Sequence, residues 1–366
     1  MHFEPKERIV SSNHLRGAVL ALFALPLAAP FAARACATCG CSLSADAAMG
    51  YSAMSGWRLN LEYDFIDQDQ LRSRYSPISP AQVAALNPPG STPQNPGPQE
   101  VEHGTINRYL TAGVTYSPNA NWSYSALVPY INRTHTTYGN VSPDELTAAD
   151  LSDAHSIGLG DIKLIASYQG LLPTHNFGVQ LGFKLPTGRY GGQNVVTGAT
   201  VGRDPVFFKT GPNAALGEAL DTSLNPGTGS TDLIVGAYFY KPVSQNFDAF
   251  VNTQLQTTIA HDLDLTNADF RPGTTQNLSF GLRYERNPRW VPQLQINVTH
   301  KLHDQGALAD NTDTAGTVVY LSPGLTASVA RQVHAFAFVQ RPVFSYLDGY
   351  QVFPHWTGSL GLSYAF

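Results

Sequence analysis

The sequence predicts an all-β fold: a closed antiparallel transmembrane β-barrel of about twelve strands, with short periplasmic turns and long extracellular loops. Three observations predict it. The chain opens on an export signal. Most of the remaining chain is built of segments in which apolar and polar residues alternate. The connections between those segments are short and long by turns.

Composition narrows the class first. The chain has 366 residues, with 22 Lys+Arg against 27 Asp+Glu and a formal charge of −5. Charged residues make up 13%, about half the usual globular share, and aromatics reach 11%. The acidic balance excludes a nucleic-acid partner, which needs basic patches to neutralise phosphates. Few charges and many rings exclude a mostly disordered chain. Three Cys exclude a disulfide scaffold.

Residues 1–35 read as a signal peptide. The apolar run from Gly17 to Ala33 follows Lys6, Arg8 and Arg16 and ends in Ala33-Arg34-Ala35, an A-x-A exit. Cleavage after Ala35 would start the mature chain at Cys36. Residues 36–55 then form a periplasmic Cys-containing segment, long enough to enter a barrel as a plug. The barrel itself is expected over 56–366. No later segment is long and apolar enough for a spanning helix.

The strand segments are expected at about 56–68, 104–117, 121–134, 156–169, 175–186, 230–241, 246–258, 274–286, 291–303, 314–329, 333–344 and 355–366. Trp57, Leu59, Leu61, Tyr63 and Phe65 alternate with Arg58, Asn60, Glu62 and Asp64, and later segments repeat the pattern. Side chains switch faces at every strand residue, so each segment has one apolar and one polar face. Most segments run to a dozen residues, beyond the usual globular strand of about five or six. Short turns are expected near 117–121, 169–175, 241–246, 286–291 and 329–333. Long loops are expected at 69–103, 135–155, 187–229, 259–273, 304–313 and 345–354. That sorting is the layout of a Gram-negative outer-membrane barrel, and a soluble sandwich has no reason to produce it. Trp57, Tyr116, Trp122 and Trp356 suit its aromatic girdles. At the C-terminus Leu360, Leu362, Tyr364 and Phe366 alternate, and a closing strand with a terminal aromatic resembles the signal read by the barrel-assembly machinery.

Two motifs carry a family resemblance. Gly158-Leu159-Gly160-Asp161-Ile162-Lys163-Leu164 is followed by Gly182-Phe183-Lys184-Leu185-Pro186-Thr187-Gly188, with a weaker echo at Gly229-Ser230-Thr231-Asp232-Leu233-Ile234-Val235. The pattern resembles the outer-membrane transporter family labelled for the MetA pathway of phenol degradation. That resemblance implies an outer-membrane barrel and a channel, and supplies no substrate.

The polar parities supply the site candidates. Arg58, Glu62, Asp64, Asp161, Lys163, Lys184, Arg283, Glu285 and Lys301 are expected to face the lumen, with an ion pair among Asp161, Lys163 and Lys184 as one outcome. Twelve strands should leave a narrow lumen, since eight are filled by side chains and sixteen leave an aqueous channel. The 187–229 loop is long enough to fold inward as a constriction. The expected function is therefore a channel or transporter for small solutes in the outer membrane, touching lipid and lipopolysaccharide.

All three Cys lie in Cys36-Ala37-Thr38-Cys39-Gly40-Cys41. The spacing fits a soft metal ion such as Cu or Zn, and equally a disulfide with one thiol left over. The alternative function is metal handling or redox coupling to a periplasmic partner through this cluster. No other cofactor is expected. His103, His135, His155, His261, His303 and His355 are expected as scattered, solvated loop residues. No Ser, His and acid constellation points to an enzyme.

Overall fold

The computed structural model describes residues 55–86, 100–139 and 146–366. Its strands are β1 (Gly56–Arg74), β2 (Ser76–Pro77), β3 (Glu102–Ser117), β4 (Trp122–Thr137), β5 (Ser152–Leu159), β6 (Ile162–Tyr168), β7 (Phe177–Leu185) and β8 (Tyr190–Gln193). They continue as β9 (Thr200–Arg203), β10 (Phe208–Thr210), β11 (Ser230–Pro242), β12 (Phe247–His261), β13 (Thr275–Tyr284), β14 (Trp290–Lys301), β15 (Gly316–Ala330) and β16 (Val333–Ala365). Two short helices, α1 (Pro80–Leu86) and α2 (Gly211–Leu216), lie in the loops.

The sheet closes on itself. The ring runs β1-β3-β4-β6-β7-β11-β12-β13-β14-β15-β16 and back to β1, with every neighbour antiparallel. Of the fourteen strands in this sheet, eleven form the ring, while β2, β5 and β10 attach beside it. The seam joins the two ends of the barrel. Trp57 N donates to Phe366 O at 2.8 Å, and Phe366 N donates back to Trp57 O at 2.9 Å. Closure leaves no long unpaired edge, which matters most where water cannot satisfy it.

Burial alternates with the pleat but runs opposite to a water-soluble protein. Trp57, Leu59, Leu61 and Tyr63 are exposed, whereas Glu62 and Asp64 between and beside them are buried. The same inversion holds on β14, where Leu294 and Ile296 are exposed and Gln293, Gln295 and Asn297 are buried. An apolar belt this continuous far exceeds the patches that monomeric proteins show to water. Aromatic pairs edge it. At the short-turn end the ring centroids of Trp57 and Tyr116 lie 4.6 Å apart, and those of Trp122 and Tyr168 lie 4.7 Å apart. At the opposite rim Phe65 and Trp356 are 5.7 Å apart.

Five sequence expectations need correction. The segment expected over 156–169 is broken at Gly160-Asp161 into β5 and β6, which pair with different halves of β4. The break works as a bulge: Ser156 is buried before it and Asp161 after it, so the inward parity changes from even to odd. Residues 345–354 are strand rather than loop. They continue β16 because β1 also runs past residue 68 and pairs Gln70 with Phe353 and Leu71 with Val352. The loop expected from residue 69 starts later, since β1 runs to Arg74, and the expected 187–229 loop carries β8, β9, β10 and α2. Finally β13 stops at Tyr284, which puts Glu285 in the following turn, where its N–H donates to Asn246 O.

Candidate functional site

The charged motifs meet inside the barrel at the break between β5 and β6. Lys184, inward on β7, reaches Asp232 Oδ2 on β11 at 2.9 Å and Asp161 Oδ2 at 3.4 Å. Its ammonium also donates to Ser230 Oγ at 2.9 Å and to Thr228 Oγ1. The carboxylates are saturated in turn. Asp232 accepts from Ser230 Oγ, Thr258 Oγ1 and Gln256 Nε2. Asp161 accepts from Gly188 N at 3.0 Å, Thr228 N at 2.9 Å and Thr228 Oγ1 at 2.8 Å. All three charged side chains are buried, so the hydrogen bonds are what make the ion pairs tolerable.

Asp161 thereby clips both stems of the 187–229 segment together. Thr187 adds to the clip by donating to Gly160 O and accepting from Ile162 N, each at 2.9 Å. Gly227 N donates to Arg189 O at 2.7 Å. The stems touch so closely that a Cβ on Gly188 would come 2.7 Å from Gly227 Cα. This gives the Pro186-Thr187-Gly188 motif a physical reason: a hydroxyl to bridge the strand break and a glycine to let two backbones meet.

Between its stems the segment turns into the long-loop mouth. Phe208 pairs with Ala154 on the inward face of β5, and its ring lies 6.3 Å from that of His135 on β4. Ala154, Val206, Phe208 and Leu220 form one apolar cluster there. A second joins Tyr190 to Leu263 and Phe270 from the neighbouring loop, with Leu308 packed against it. His135 is buried, against the expectation of a solvated loop residue, because this lid covers it. It bonds Thr105 Oγ1 at 2.8 Å and lies 3.9 Å from Glu100. Asp221 sits in the same lid and accepts from Ser223 N. Burial pushes its carboxyl up to about 6, with Asp310, Glu100 and Asp304 adding repulsion.

Midway along β14, β15 and the first half of β16 the interior is held by neutral groups. Asn297 Nδ2 donates to Ser322 Oγ at 2.9 Å and to Gln340 Oε1 at 3.1 Å, and Gln293 Nε2 donates to Thr326 Oγ1 at 2.7 Å. Four inward aromatic rings pack against glycines of the adjoining strand segment. Phe250 covers Gly281, Phe338 covers Gly324, Phe336 covers Gly361 and Tyr238 covers Gly178, each so closely that a Cβ would come within 2.2 Å of the ring.

The remaining sequence candidates spread along the interior. Glu62 and Asp64 are buried on β1, and Asp64 accepts a hydrogen bond from Ser359 Oγ at 2.5 Å. Arg58 and Lys163 are half-buried. Arg283 pairs with Glu285 at 2.9 Å, and Lys301 with Asp304 at 2.8 Å. Leu362, Tyr364 and Phe366 are exposed on the outer face, with the last two rings 5.4 Å apart. The signal peptide, the 36–54 stretch and the cluster of Cys36, Cys39 and Cys41 lie outside the described residues. Two members of the site escaped the sequence reading. Asp232 stood in the echo motif, and its place on the strand beside β7 was the available signal. Arg133, which donates to Asn107 Oδ1 at 2.5 Å and Tyr109 OH at 2.8 Å, stood on the inward parity of β4.

No family model and no curated protein sequence matches the chain, so the MetA-pathway family gains no support at family level. Solved structures do match. An outer-membrane channel from Pseudomonas putida F1 superposes with a TM-score of 0.54 at 10% identity, covering 86% of this chain and 96% of that one. The β-domain of the Bordetella autotransporter BrkA gives 0.44 at 11% identity, over 86% and 100%. A FadL homologue of Pseudomonas aeruginosa gives 0.41 at 10% identity, over 91% and 98%. At these identities the first likeness shows the fold: this chain has the architecture of an outer-membrane β-barrel.

Proposed function

We propose that this protein is an outer-membrane channel for small solutes, with a narrow polar lumen closed at the long-loop mouth by the 187–229 segment. The observation that carries the reading is the inverted interior. Polar side chains face inward on every wall, and four of the aromatic rings among them pack against glycines. A barrel built only as a scaffold gains by filling its centre with bulky side chains; here Tyr238, Phe250, Phe336 and Phe338 pack against wall glycines instead. The fold shared with the P. putida channel agrees with this.

The number of spans follows from parity. Neighbours in an antiparallel ring alternate in direction, and an odd ring cannot alternate throughout. The 33 residues of β16 resolve this by reversing once near Gly349, whose φ is 51°. Their first half pairs with β15 and their second with β1, while Phe336 lies on Gly361. Counted so, the reading is of twelve spans, with both ends of the barrel domain at the short-turn side.

The test is conductance in planar bilayers. Wild type should conduct little. A variant in which residues 190–226 are replaced by Asn-Gly, bridging the hydrogen-bonded Arg189 and Gly227, should conduct steadily. Two closed proteins would sink the channel reading. A second reading, metal or redox handling, rests on all three Cys falling within six residues of sequence. Stoichiometric Cu(I) binding that is lost in the Cys36→Ser, Cys39→Ser, Cys41→Ser variant would favour it.

A further inference from the structure

The inward lysines of β6 and β7 are direct cross-strand partners, Lys163 opposite Lys184. Two like charges at that spacing repel unless each has its own compensation. Lys184 takes the direct contacts. Its ammonium contacts both carboxylates and two hydroxyls, and those carboxylates spend their other lone pairs on Thr228, Gly188, Thr258 and Gln256. Among the described residues Lys163 has no hydrogen-bond partner and no carboxylate within 4 Å, and its side chain is half-buried while that of Lys184 is sealed. The other inward cations among the described residues are engaged. Arg133 bonds Asn107 and Tyr109, Arg283 bonds Glu285, Lys301 bonds Asp304, and Arg58 is not free either.

We propose that Lys163 is the docking point for an anionic group, a carboxylate or similar small anion, on the solute that enters this lumen. This rests on the channel reading and gives it a substrate class. The site is built by subtraction: Asp161 and Asp232 hold Lys184 in the wall, which leaves one ammonium presented to the lumen. A charged side chain at a pore constriction sets which ions enter, and an ionisable group at membrane depth calls for a functional partner. The inward-face neighbours of Lys163 are Leu127 on β4, Ile165 on β6 and Asp161 just before β6, and Asp161 makes its direct contacts with Lys184, Gly188 and Thr228.

Two measurements decide it. The first is the reversal potential of the loop-shortened channel in a KCl gradient, repeated with potassium acetate. Anion preference should be present in the parent, lost in Lys163→Gln and reversed in Lys163→Glu. Lys241→Gln, an exposed cation at the short-turn end of β11, should leave it unchanged. An unchanged reversal potential in a conducting Lys163→Glu channel would overturn the proposal. The second needs no conductance and so separates this proposal from the channel reading. In the full-length protein, acetic anhydride should acylate Lys163 faster than Lys184, read by peptide mass spectrometry, and added succinate should slow Lys163 alone. Equal rates, or no protection by succinate, would overturn the site even in a protein that conducts.

Discussion

The two halves of the barrel wall hold their polar interiors by different means. On β6, β7 and β11 the interior is ionic: one lysine sits between two aspartates, and the network extends into the stems of the inward-folded segment. Midway along β14, β15 and the first half of β16 it is neutral: Gln293, Asn297, Ser322, Thr326 and Gln340 bond to one another across neighbouring strands. The first arrangement couples wall to lid. The second only lines. A charge pair makes a stiff junction because breaking either side strands a buried charge, while a neutral amide can lose one partner at modest cost.

The most damaging way to break that contrast is Lys184→Met. It leaves Asp161 and Asp232 facing each other without a cation, which should cost about 3–5 kcal/mol. Thermal unfolding in detergent should show it as the largest loss of any single change in the wall. Adding Asp161→Asn and Asp232→Asn should restore most of the stability, because the buried charge is gone along with its partner. If the triple variant stays as unstable as the single one, the cost lies in packing and not in charge.

Next comes Asp161→Ala. It keeps Lys184 paired with Asp232 but orphans Gly188 N and Thr228 N, for about 3 kcal/mol at roughly 1–3 per buried donor. The expected signature is local. Hydrogen exchange at residues 188 and 228 and around Phe208 should accelerate while β14 and β15 stay protected. Uniform acceleration around the ring would mean that Asp161 supports the barrel and not the lid.

On the neutral wall, Asn297→Ala removes two donated hydrogen bonds and should cost only about 1–2 kcal/mol. It should leave exchange in the 187–229 segment untouched. A lid that loosens in this variant would erase the distinction between the walls.

The same division explains what the sequence disclosed. The alternation at Trp57–Phe65 and at Gln293–Thr299 is local chemistry, because a strand's facing is set by the residue's own parity, so the barrel was legible. The ion pair of Asp161 with Lys184 was legible for the same reason. Asp232 was harder: it joins through a pairing of β7 with β11 across a 44-residue gap between Leu185 and Ser230, and nothing local announces the partner. The break at Gly160-Asp161 hid because two glycines in an apolar strand look like a weak strand until a second chain segment is seen to need the space. The continuation of β16 through 345–354 hid because its support is β1, at the opposite end of the barrel sequence. Burial of His135 depended on a lid whose inward turn no periodicity encodes.

The smallest expected effect sharpens the lid itself. Asp221 lies outside the spanning strands, and burial lifts its carboxyl to about 6, helped by Asp310, Glu100 and Asp304. That is above the ordinary aspartate value of 3.8, so the docked lid favours the protonated acid. The stabilisation is full below about pH 4 and is lost as pH rises through about 6. Exchange at residues 206–224 should therefore be slower at pH 4 than at pH 7 once corrected for intrinsic rates. Asp221→Asn, neutral throughout, should flatten that dependence and leave the charged wall alone. A pH dependence that survives in Asp221→Asn would assign the titration to other groups at the mouth, and it would mean that the lid is held by its clip at Asp161 without help from its tip.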